Sequence, residues 1–477
     1  MAYSKSQYDV VLINPPANIV REHYDTPDYP AIGVAYIGNY LEKHGGITPA
    51  IIDGKLGRLS VEETVRRAVT LRPKVVGLTS MTHMIVVTAR IAEEIKRVLP
   101  GVTVVLGGFH GSFLPERTLR EFPVFDYIVV GEGEMAFVEL VDGVLNGGEV
   151  GAIPGLCFEK DGETKANGRG AIPETLDELG EPGWHLFDPV AIEEYCTTLP
   201  VMSQRGCPFS CNFCSRPYGQ LVRQRSPARV VDEMEAGFHR HGVRKFAFYD
   251  ETFTVVKGHV NGICGGLIER GLNANIEWES MVHANTVNRA LIQTMKNAGC
   301  SYLGFGVESG HEDIIKAMKK GVTKDRILKA SRIFKDVGVR FGAYFILGHP
   351  NESHRSLINT IAFAVRLNAD ITAFGIMVPY PGTEVWELAK RGEGGYQKLS
   401  LDWEDYNKQV SSAVELTGIS RRKLKIFQLA AYLSVYLFHM RFRDMGRAIV
   451  ANPDRLKYIL MSIFRSQSRQ TREQPSM

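Results

Sequence analysis

The sequence predicts an α/β protein in two parts: an N-terminal doubly wound (Rossmann-like) five-stranded domain, then a partial (βα)6 barrel, ending in a helical C-terminal tail. Three observations predict it. Short β-rich runs alternate with segments of helical periodicity from Tyr8 to about Gly147. A turn-rich stretch breaks that rhythm at residues 148–196, and six further β-like runs follow before residue 395. The 477 residues allow two to four domains at about 100 to 200 residues each. With 44% hydrophobic and 23% charged residues, the composition is that of a globular protein, neither disordered, collagen-like nor membrane-integral.

In the first part, residues 1–147, the strands read YDVVLI, TPAIID, KVVGLTS, VTVVLGG and FDYIVVG, with helix-like segments such as Val61 to Leu71, Met84 to Leu99 and Glu134 to Leu145 between them. Five βα units of this kind make a parallel sheet covered on both faces, and such sheets bind ligands at the carboxyl ends of their strands. Those ends are small or polar here: Asn14-Pro15-Pro16, Thr79-Ser80, Gly107-Gly108 and Gly131-Glu132-Gly133-Glu134. Backbone without large side chains lets a large flat ligand approach. The run Gly131 to Ala136 matches a G-x-G-x-x-A dinucleotide fingerprint, but it follows the fifth strand, and Glu132 and Glu134 would set carboxylates against a pyrophosphate.

Residues 148–196, with GAIPG, EKDGETKANGRG and LGEPGW, read as a hairpin plus a linker. In residues 197–395 the runs LPVMSQR, KFAFYDE, IEWESMV, YLGFGVE, VRFGAYFILG and DITAFGIMVP are six strands, too few for a closed eight-stranded barrel. Residues 396–477 form the tail.

Of seven cysteines, three fall within eight residues of the first barrel loop: Cys207, Cys211 and Cys214. Three thiolates at C-x3-C-x2-C can serve a tetrahedral zinc or three irons of a [4Fe–4S] cube. Zinc would need a fourth ligand; Cys264 lies 50 residues on, and His239 or His241 are the other options. A purely electron-carrying cluster usually takes four cysteines, so three leave an iron open.

This run, with Phe213 at the aromatic position of C-x3-C-x-aromatic-C, resembles the radical S-adenosylmethionine (SAM) superfamily. The other strand ends extend the resemblance. They are Asp250-Glu251-Thr-Phe253, Gly306-Val-Glu308-Ser309-Gly310, Phe345-Ile-Leu-Gly348-His-Pro350-Asn-Glu352 and Pro379-Tyr-Pro381-Gly382-Thr383. The resemblance implies a [4Fe–4S] cluster on Cys207, Cys211 and Cys214. It implies SAM chelated to the open iron and contacted by Phe213, Asp250, Glu251, Glu308, Ser309 and Gly348. It further implies cleavage of SAM to a 5′-deoxyadenosyl radical, with electrons from an external donor of flavodoxin or ferredoxin type.

A five-stranded α/β domain ahead of such a barrel resembles the cobalamin (B12)-binding radical SAM enzymes over about residues 8 to 395. Cobalamin is then expected against Thr79, Ser80, Gly107, Gly108, Gly131 and Glu132, with His83 and His110 as further contacts. Many cobalamin domains carry D-x-H-x-x-G, whose His ligates cobalt; here the loop is Asp53-Gly-Lys55-Leu-Gly57-Arg58. An ammonium has no lone pair. Cobalamin is therefore expected with its base displaced (base-off) and no protein His below the metal. The third barrel strand carries His283 where relatives often have Arg and Ser280 where they often have Cys, making His283 a candidate substrate contact or proton donor.

The expected reaction resembles that of the class B radical SAM methyltransferases. It is methylation of an unactivated carbon of a small-molecule, tetrapyrrole or lipid-like substrate, using one SAM for the methyl group and another for the radical. The rival is radical oxidation, cyclisation or rearrangement without methyl transfer. Net charge is +3, but residues 421–477 carry +9 and the rest −6. The apolar run Ile426 to Met440 is short of the ~20 residues that span a bilayer. It reads as a helix packed on the body, with peripheral membrane docking as the alternative. Nucleic-acid modification is disfavoured, because residues 1–156 lack the cysteines that the methylthiotransferases use for a second cluster. Without a charged and apolar leader, the expected location is the cytoplasm.

Overall fold

The computed structural model describes residues 8–16, 29–407 and 411–451. Five parallel strands, β1 (Val10–Asn14), β2 (Ala50–Asp53), β3 (Val75–Thr79), β4 (Thr103–Gly107) and β5 (Tyr127–Val129), form the first sheet. The hairpin β6 (Leu156–Lys160) and β7 (Glu163–Ala166) continues it in antiparallel fashion, giving the order β2-β1-β3-β4-β5-β6-β7. The strands are rich in Val and Ile and buried throughout, as parallel strands covered on both faces must be. Strand order reverses between β1 and β3, so the crevice beyond their carboxyl ends is the natural ligand site. The hairpin covers the free edge of β5, and its outer residues Glu159, Lys160 and Glu163 are exposed, so it pairs through backbone more than through apolar burial.

The second sheet is wholly parallel. It consists of β8 (Leu199–Val201), β11 (Lys245–Phe248), β12 (Glu277–Val282), β13 (Cys300–Glu308), β14 (Arg340–Leu347) and β15 (Ile371–Ile376), paired in sequence order. Two short strands, β9 (Gln204–Arg205) and β10 (Arg223–Gln224), form an antiparallel ladder that closes the neck of the cysteine loop. Six strands leave an open barrel with β15 at one edge. The helix Arg421–Phe438 lies along that edge, where Gln428 Nε2 donates to Phe374 O (2.7 Å) and Phe374 N donates to the Tyr432 hydroxyl (3.1 Å). Side chains thus satisfy an edge backbone that would otherwise template pairing with another chain. The helix also leaves Ile426, Leu433, Leu437 and Phe438 exposed. No helix among the described residues is long and apolar enough to cross a membrane. The basic residues beyond Ala451 lie outside the described residues.

The two sheets are joined by buried charges. Arg205 donates from Nη1 to Glu132 Oε2 (2.5 Å) and from Nη2 to Glu134 Oε1 (2.6 Å), and Arg223 also pairs with Glu132. The three side chains of the two Arg205 pairs are 3% to 6% exposed. Arg205 also lies over the rings of Tyr36 and Tyr218. A second seam comes from the C-terminal region, where Trp403 Nε1 donates to Glu121 Oε2 (2.7 Å).

Removing one partner of a buried pair strands the other charge, at a cost of about 3 to 5 kcal/mol. Arg205→Met is expected to lower the melting temperature by several degrees, whereas adding Glu132→Gln and Glu134→Gln to it should restore much of the loss. A calorimetric scan in which the single and triple variants melt together would contradict this.

Candidate functional site

The cysteine loop is shaped before any ligand arrives. Gly206 has φ +99°, and a Cβ there would sit 2.0 Å from Leu221 O, so only glycine closes the neck. Cys207 N donates to Gly219 O (3.1 Å) and Cys214 N to Cys211 O (3.2 Å). Asn212 pins the loop to the barrel: its N donates to Met318 O (3.0 Å), its Nδ2 to Ala317 O (3.0 Å), and its O accepts from Val385 N (3.1 Å). All three thiols are free of disulfides. Burial pushes the Cys211 thiol up to about 11 against the pull of the Lys320 ammonium, and burial raises Cys214 likewise. Such thiols ionise only when a cationic group arrives, which suits a bound metal centre. Among the described residues no three His, Cys, Asp or Glu side chains converge as a single ion requires. A four-iron cube takes its thiolates at separate corners, so the loop fits the cluster.

The barrel's carboxyl ends surround this loop. Asp250 is saturated, accepting from Ser203 N (2.7 Å), Ser203 Oγ (2.5 Å) and Gln204 N (3.1 Å), and burial lifts it to about 7. It fixes the chain entering the loop. Glu251, next in sequence, has both carboxylate oxygens buried without a hydrogen-bond partner. Burial pushes it up to about 7 as well, against the pull of the neighbouring Gly206 N–H. A buried carboxyl group without partners is a place for a ligand.

Glu308, at φ +65°, accepts from Lys320 Nζ (2.6 Å), which also donates to Gly306 O (2.7 Å). A Cβ on Gly306 would lie 1.9 Å from Glu308 Oε1 and 2.5 Å from Lys320 Nζ, so this glycine makes room for the pair. Ser309 is fully buried; its Oγ contacts Thr360 Oγ1 (3.1 Å) and accepts from His311 N (3.1 Å), which spends it on the turn. Gly348, at φ +98°, donates from N to Glu352 Oε2 (2.8 Å) and accepts from Tyr396 OH (3.0 Å).

His283 stacks on Phe209 of the cysteine loop with ring centroids 3.6 Å apart. Its Nδ1 accepts from Asn285 N (3.3 Å), which leaves the proton of the neutral ring on Nε2, a buried donor without a partner. Burial, aided by Lys320, pushes this imidazole down to about 4. Phe213 meets the ring of His349 edge-on at 5.8 Å. Lys320 and His349 were not singled out from sequence. A lysine before a glycine reads as a turn, and His349 fills a variable position of its motif.

At the carboxyl edge of the first sheet, Gly108 has φ +88°, and a Cβ there would sit 2.7 Å from both Ser80 N and Ser80 O. The β3 and β4 loops are thus locked together. Ser80 Oγ donates to Met81 O (3.0 Å) and accepts from Thr88 Oγ1 (3.1 Å), so it shapes its own turn. A Cβ on Gly131 would meet nothing within 4 Å, and one on Gly107 only Leu78 O at 3.9 Å. With half-buried Thr79 these glycines leave a bare ledge on which a large flat group fits. Asp53 accepts from Asn14 Nδ2 (2.7 Å), Ala31 N (2.9 Å), Lys55 N (3.2 Å) and Leu56 N (3.0 Å), fixing the loop that carries Lys55. Glu132 turns its carboxylate to Arg205 and Arg223 of the second part. His83 lies in the turn Thr82–Met84. His110 is buried edge-on against Trp403, at 4.9 Å, with both ring nitrogens unpartnered.

Residues 25–141 match the B12 binding domain family, and residues 201–364 match the Radical SAM superfamily. An uncharacterized methyltransferase of Pyrococcus horikoshii is 30% identical over 434 residues, covering 90% of this chain and 92% of its own length. The anaerobic magnesium-protoporphyrin IX monomethyl ester cyclase of Rubrivivax gelatinosus is 30% identical over 395 residues, covering 80% and 69%. Among solved structures, the cobalamin-dependent S-adenosylmethionine radical enzyme OxsB, with aqua-cobalamin and S-adenosylmethionine bound, superposes with a TM-score of 0.76 at 17% identity, over 96% of this chain and 70% of its own. The radical S-adenosylmethionine methyltransferase TsrM from Kitasatospora setae gives 0.67 at 17%, over 88% and 81%. These two share the fold.

Burial, with Arg117 adding to it, pushes His110 down to about 3 from the ordinary 6.5. Between those values the unfolded chain binds a proton that the folded chain excludes, so stability falls as pH drops below about 6.5, by up to about 1.4 kcal/mol per pH unit for one group. In cobalamin-free protein, His110→Phe should make the acid limb of melting temperature against pH shallower. An unchanged limb would mean that the folded imidazole takes up its proton normally.

Proposed function

The chain belongs to the radical SAM family with an N-terminal B12-binding domain, and from that premise we propose that it is a cobalamin-dependent radical SAM methyltransferase acting on an unactivated carbon. The observation that carries it is one chain holding both sites: three free thiols in a preformed loop, and a bare glycine ledge tied to that loop's base through Glu132 and Arg205. An sp3 carbon without acidic hydrogens offers no nucleophile, so polar methyl transfer from SAM cannot serve it.

Cys207, Cys211 and Cys214 would hold the [4Fe–4S] cluster. When bound, the cluster supplies a low-potential electron for cleavage of SAM, and cobalamin supplies the methyl carrier. Over a whole turnover, the S–CH3 bond of one SAM and one substrate C–H bond break, and a C–CH3 bond forms. A second SAM yields methionine, and its adenosyl group leaves as 5′-deoxyadenosine with the substrate hydrogen. An external flavodoxin- or ferredoxin-type donor supplies two electrons.

Around SAM, Phe213, Glu251 and Glu308 offer direct contacts, with Lys320 beside Glu308 available to a carboxylate. Asp250, Ser309 and Gly348 hold the strand ends that present them. Thr79, Gly107, Gly108 and Gly131, with the turn of Ser80 and the backbone at Glu132, would cradle cobalamin. Lys55 at the usual His position supports base-off binding with no protein ligand below cobalt. His283, with its Nε2–H free, is the substrate contact. The substrate class is a small-molecule, tetrapyrrole or lipid-like compound. The exposed apolar side chains of the helix Arg421–Phe438, beside exposed Arg422, support contact with an amphipathic substrate or a membrane surface.

The cyclase relative favours a second reading, radical ring formation without methyl transfer. Product mass separates the two: gain of one CH2 unit per methyl, against loss of hydrogen or gain of oxygen. Incubation of reconstituted enzyme with substrate should release S-adenosylhomocysteine and 5′-deoxyadenosine together; 5′-deoxyadenosine without methylated product would reject methyl transfer. The Co(II) form should lack nitrogen hyperfine splitting in its EPR spectrum, and a nitrogen-coordinated signal would refute the base-off, ligand-free assignment.

A further inference from the structure

His349 has no part in the roles given so far, yet it is among the most constrained polar side chains in the molecule. It is 1% exposed, and neither ring nitrogen has a hydrogen-bond partner. Leaving a buried donor or acceptor unmade costs about 1 to 3 kcal/mol per group, so a side chain of this kind is kept for a partner. Its backbone is clamped. His349 N donates to Glu352 Oε2 (3.1 Å), the preceding Gly348 N donates to the same oxygen (2.8 Å), and Tyr396 OH holds Gly348 O (3.0 Å). Gly348 at φ +98° makes the bend that turns the following side chain away from the line of β14. The ring then meets Phe213 edge-on at 5.8 Å, under the segment between Cys211 and Cys214. Two independent elements, the end of β14 and the cysteine loop, therefore enclose it.

We propose that His349 is a binding contact for the adenosyl group of SAM, donating from one ring nitrogen and accepting at the other. This rests on the reading of the chain as a SAM-binding enzyme. The choice of adenosyl over methionine follows from charge. The methionine end carries an ammonium and a carboxylate, and the site already offers Glu308 and Lys320 to such groups. His349 is neutral, since burial and Lys320 push it down to about 3. A neutral imidazole presents one donor and one acceptor, which matches an uncharged surface bearing both, such as an adenine edge or ribose hydroxyls. The role is one of positioning and affinity.

The test uses full-length protein reconstituted anaerobically with iron, sulfide and cobalamin, and measures SAM affinity by equilibrium dialysis, with 5′-deoxyadenosine and methionine as competitors. His349→Phe keeps an aromatic ring but removes both polar atoms. It should weaken SAM and 5′-deoxyadenosine by about 5- to 100-fold and leave competition by methionine unchanged. His349→Gln, which retains a donor and an acceptor, should recover part of the loss. A His349→Phe protein with wild-type iron content that binds SAM as tightly as wild type would show that a buried water satisfies the ring, and would overturn the proposal. So would equal loss of 5′-deoxyadenosine and methionine binding, or a His349→Gln protein weaker than His349→Phe, since either points to shape alone. Wild-type protein that binds no SAM would overturn the proposed function along with it.

Discussion

The junction of Arg205 with Glu132 and Glu134 is the constraint on which the rest of the molecule depends. Burying three charges is expensive, and their attraction offsets that cost only when the geometry is tight and every oxygen is used. Here the guanidinium forks across two carboxylates from the β5 loop, and Arg223 takes Glu132's other oxygen. Arg205 stands two residues before Cys207, and Arg223 pairs with it across the neck of the cysteine loop. The contact that joins the two sheets is therefore also the contact that sets the base of the loop. The same pair of glutamates that makes Gly131 to Ala136 unfit for a pyrophosphate makes it fit for this joint.

Electrostatics inside the site follow from one cause, exclusion of water, with opposite signs for acids and bases. Burial lifts Asp250 and Glu251 to about 7 and lowers His283 and His349 to about 4 and about 3. A site so arranged approaches neutrality by itself, and Lys320 keeps its charge beside Glu308. For chemistry that passes through a carbon radical this has a consequence. Mobile protons and water are kept away, and the fixed charges are gathered near the Cys211 side, where the charged end of SAM is expected.

Much of the fold was legible in the sequence, because parallel strands buried on both faces must be continuous runs of Val, Ile and Phe; all five runs of the first part and all six of the second are strands. The pairing of β6 and β7 with β5 was not, since exposed polar hairpins carry little periodic signal. The thiols, Phe213 and Glu308 were legible through spacing. Asp250 and Glu251 are indistinguishable as letters, yet one is saturated by Ser203 and Gln204 while the other is bare, because neighbouring residues at a strand end face different ways. Lys320 and His349 depend on tertiary placement alone. The tail is a divided case: Gln428 and Tyr432 look like polar interruptions of an apolar run, and they are the groups that bond the β15 backbone.

An open six-stranded sheet also decides what the barrel can admit. A closed eight-stranded barrel fills its interior with layers of branched side chains. Here two inward positions are glycine, and the space is taken by two tyrosines lying across them. A Cβ on Gly342 would fall 1.8 Å from the Tyr302 hydroxyl, and one on Gly304 would fall 2.8 Å from the Tyr344 ring. The two hydroxyls bond each other at 2.7 Å, making a polar floor part-way down the interior. Above it Met281 and Tyr249 remain 36% and 38% exposed, so the mouth is lined by adaptable apolar surface that nothing in the chain fills. A substrate entering beside His283 would stop at the tyrosine pair, so the depth of that floor, more than the loops around the mouth, sets how far the reacting carbon lies from the thiols.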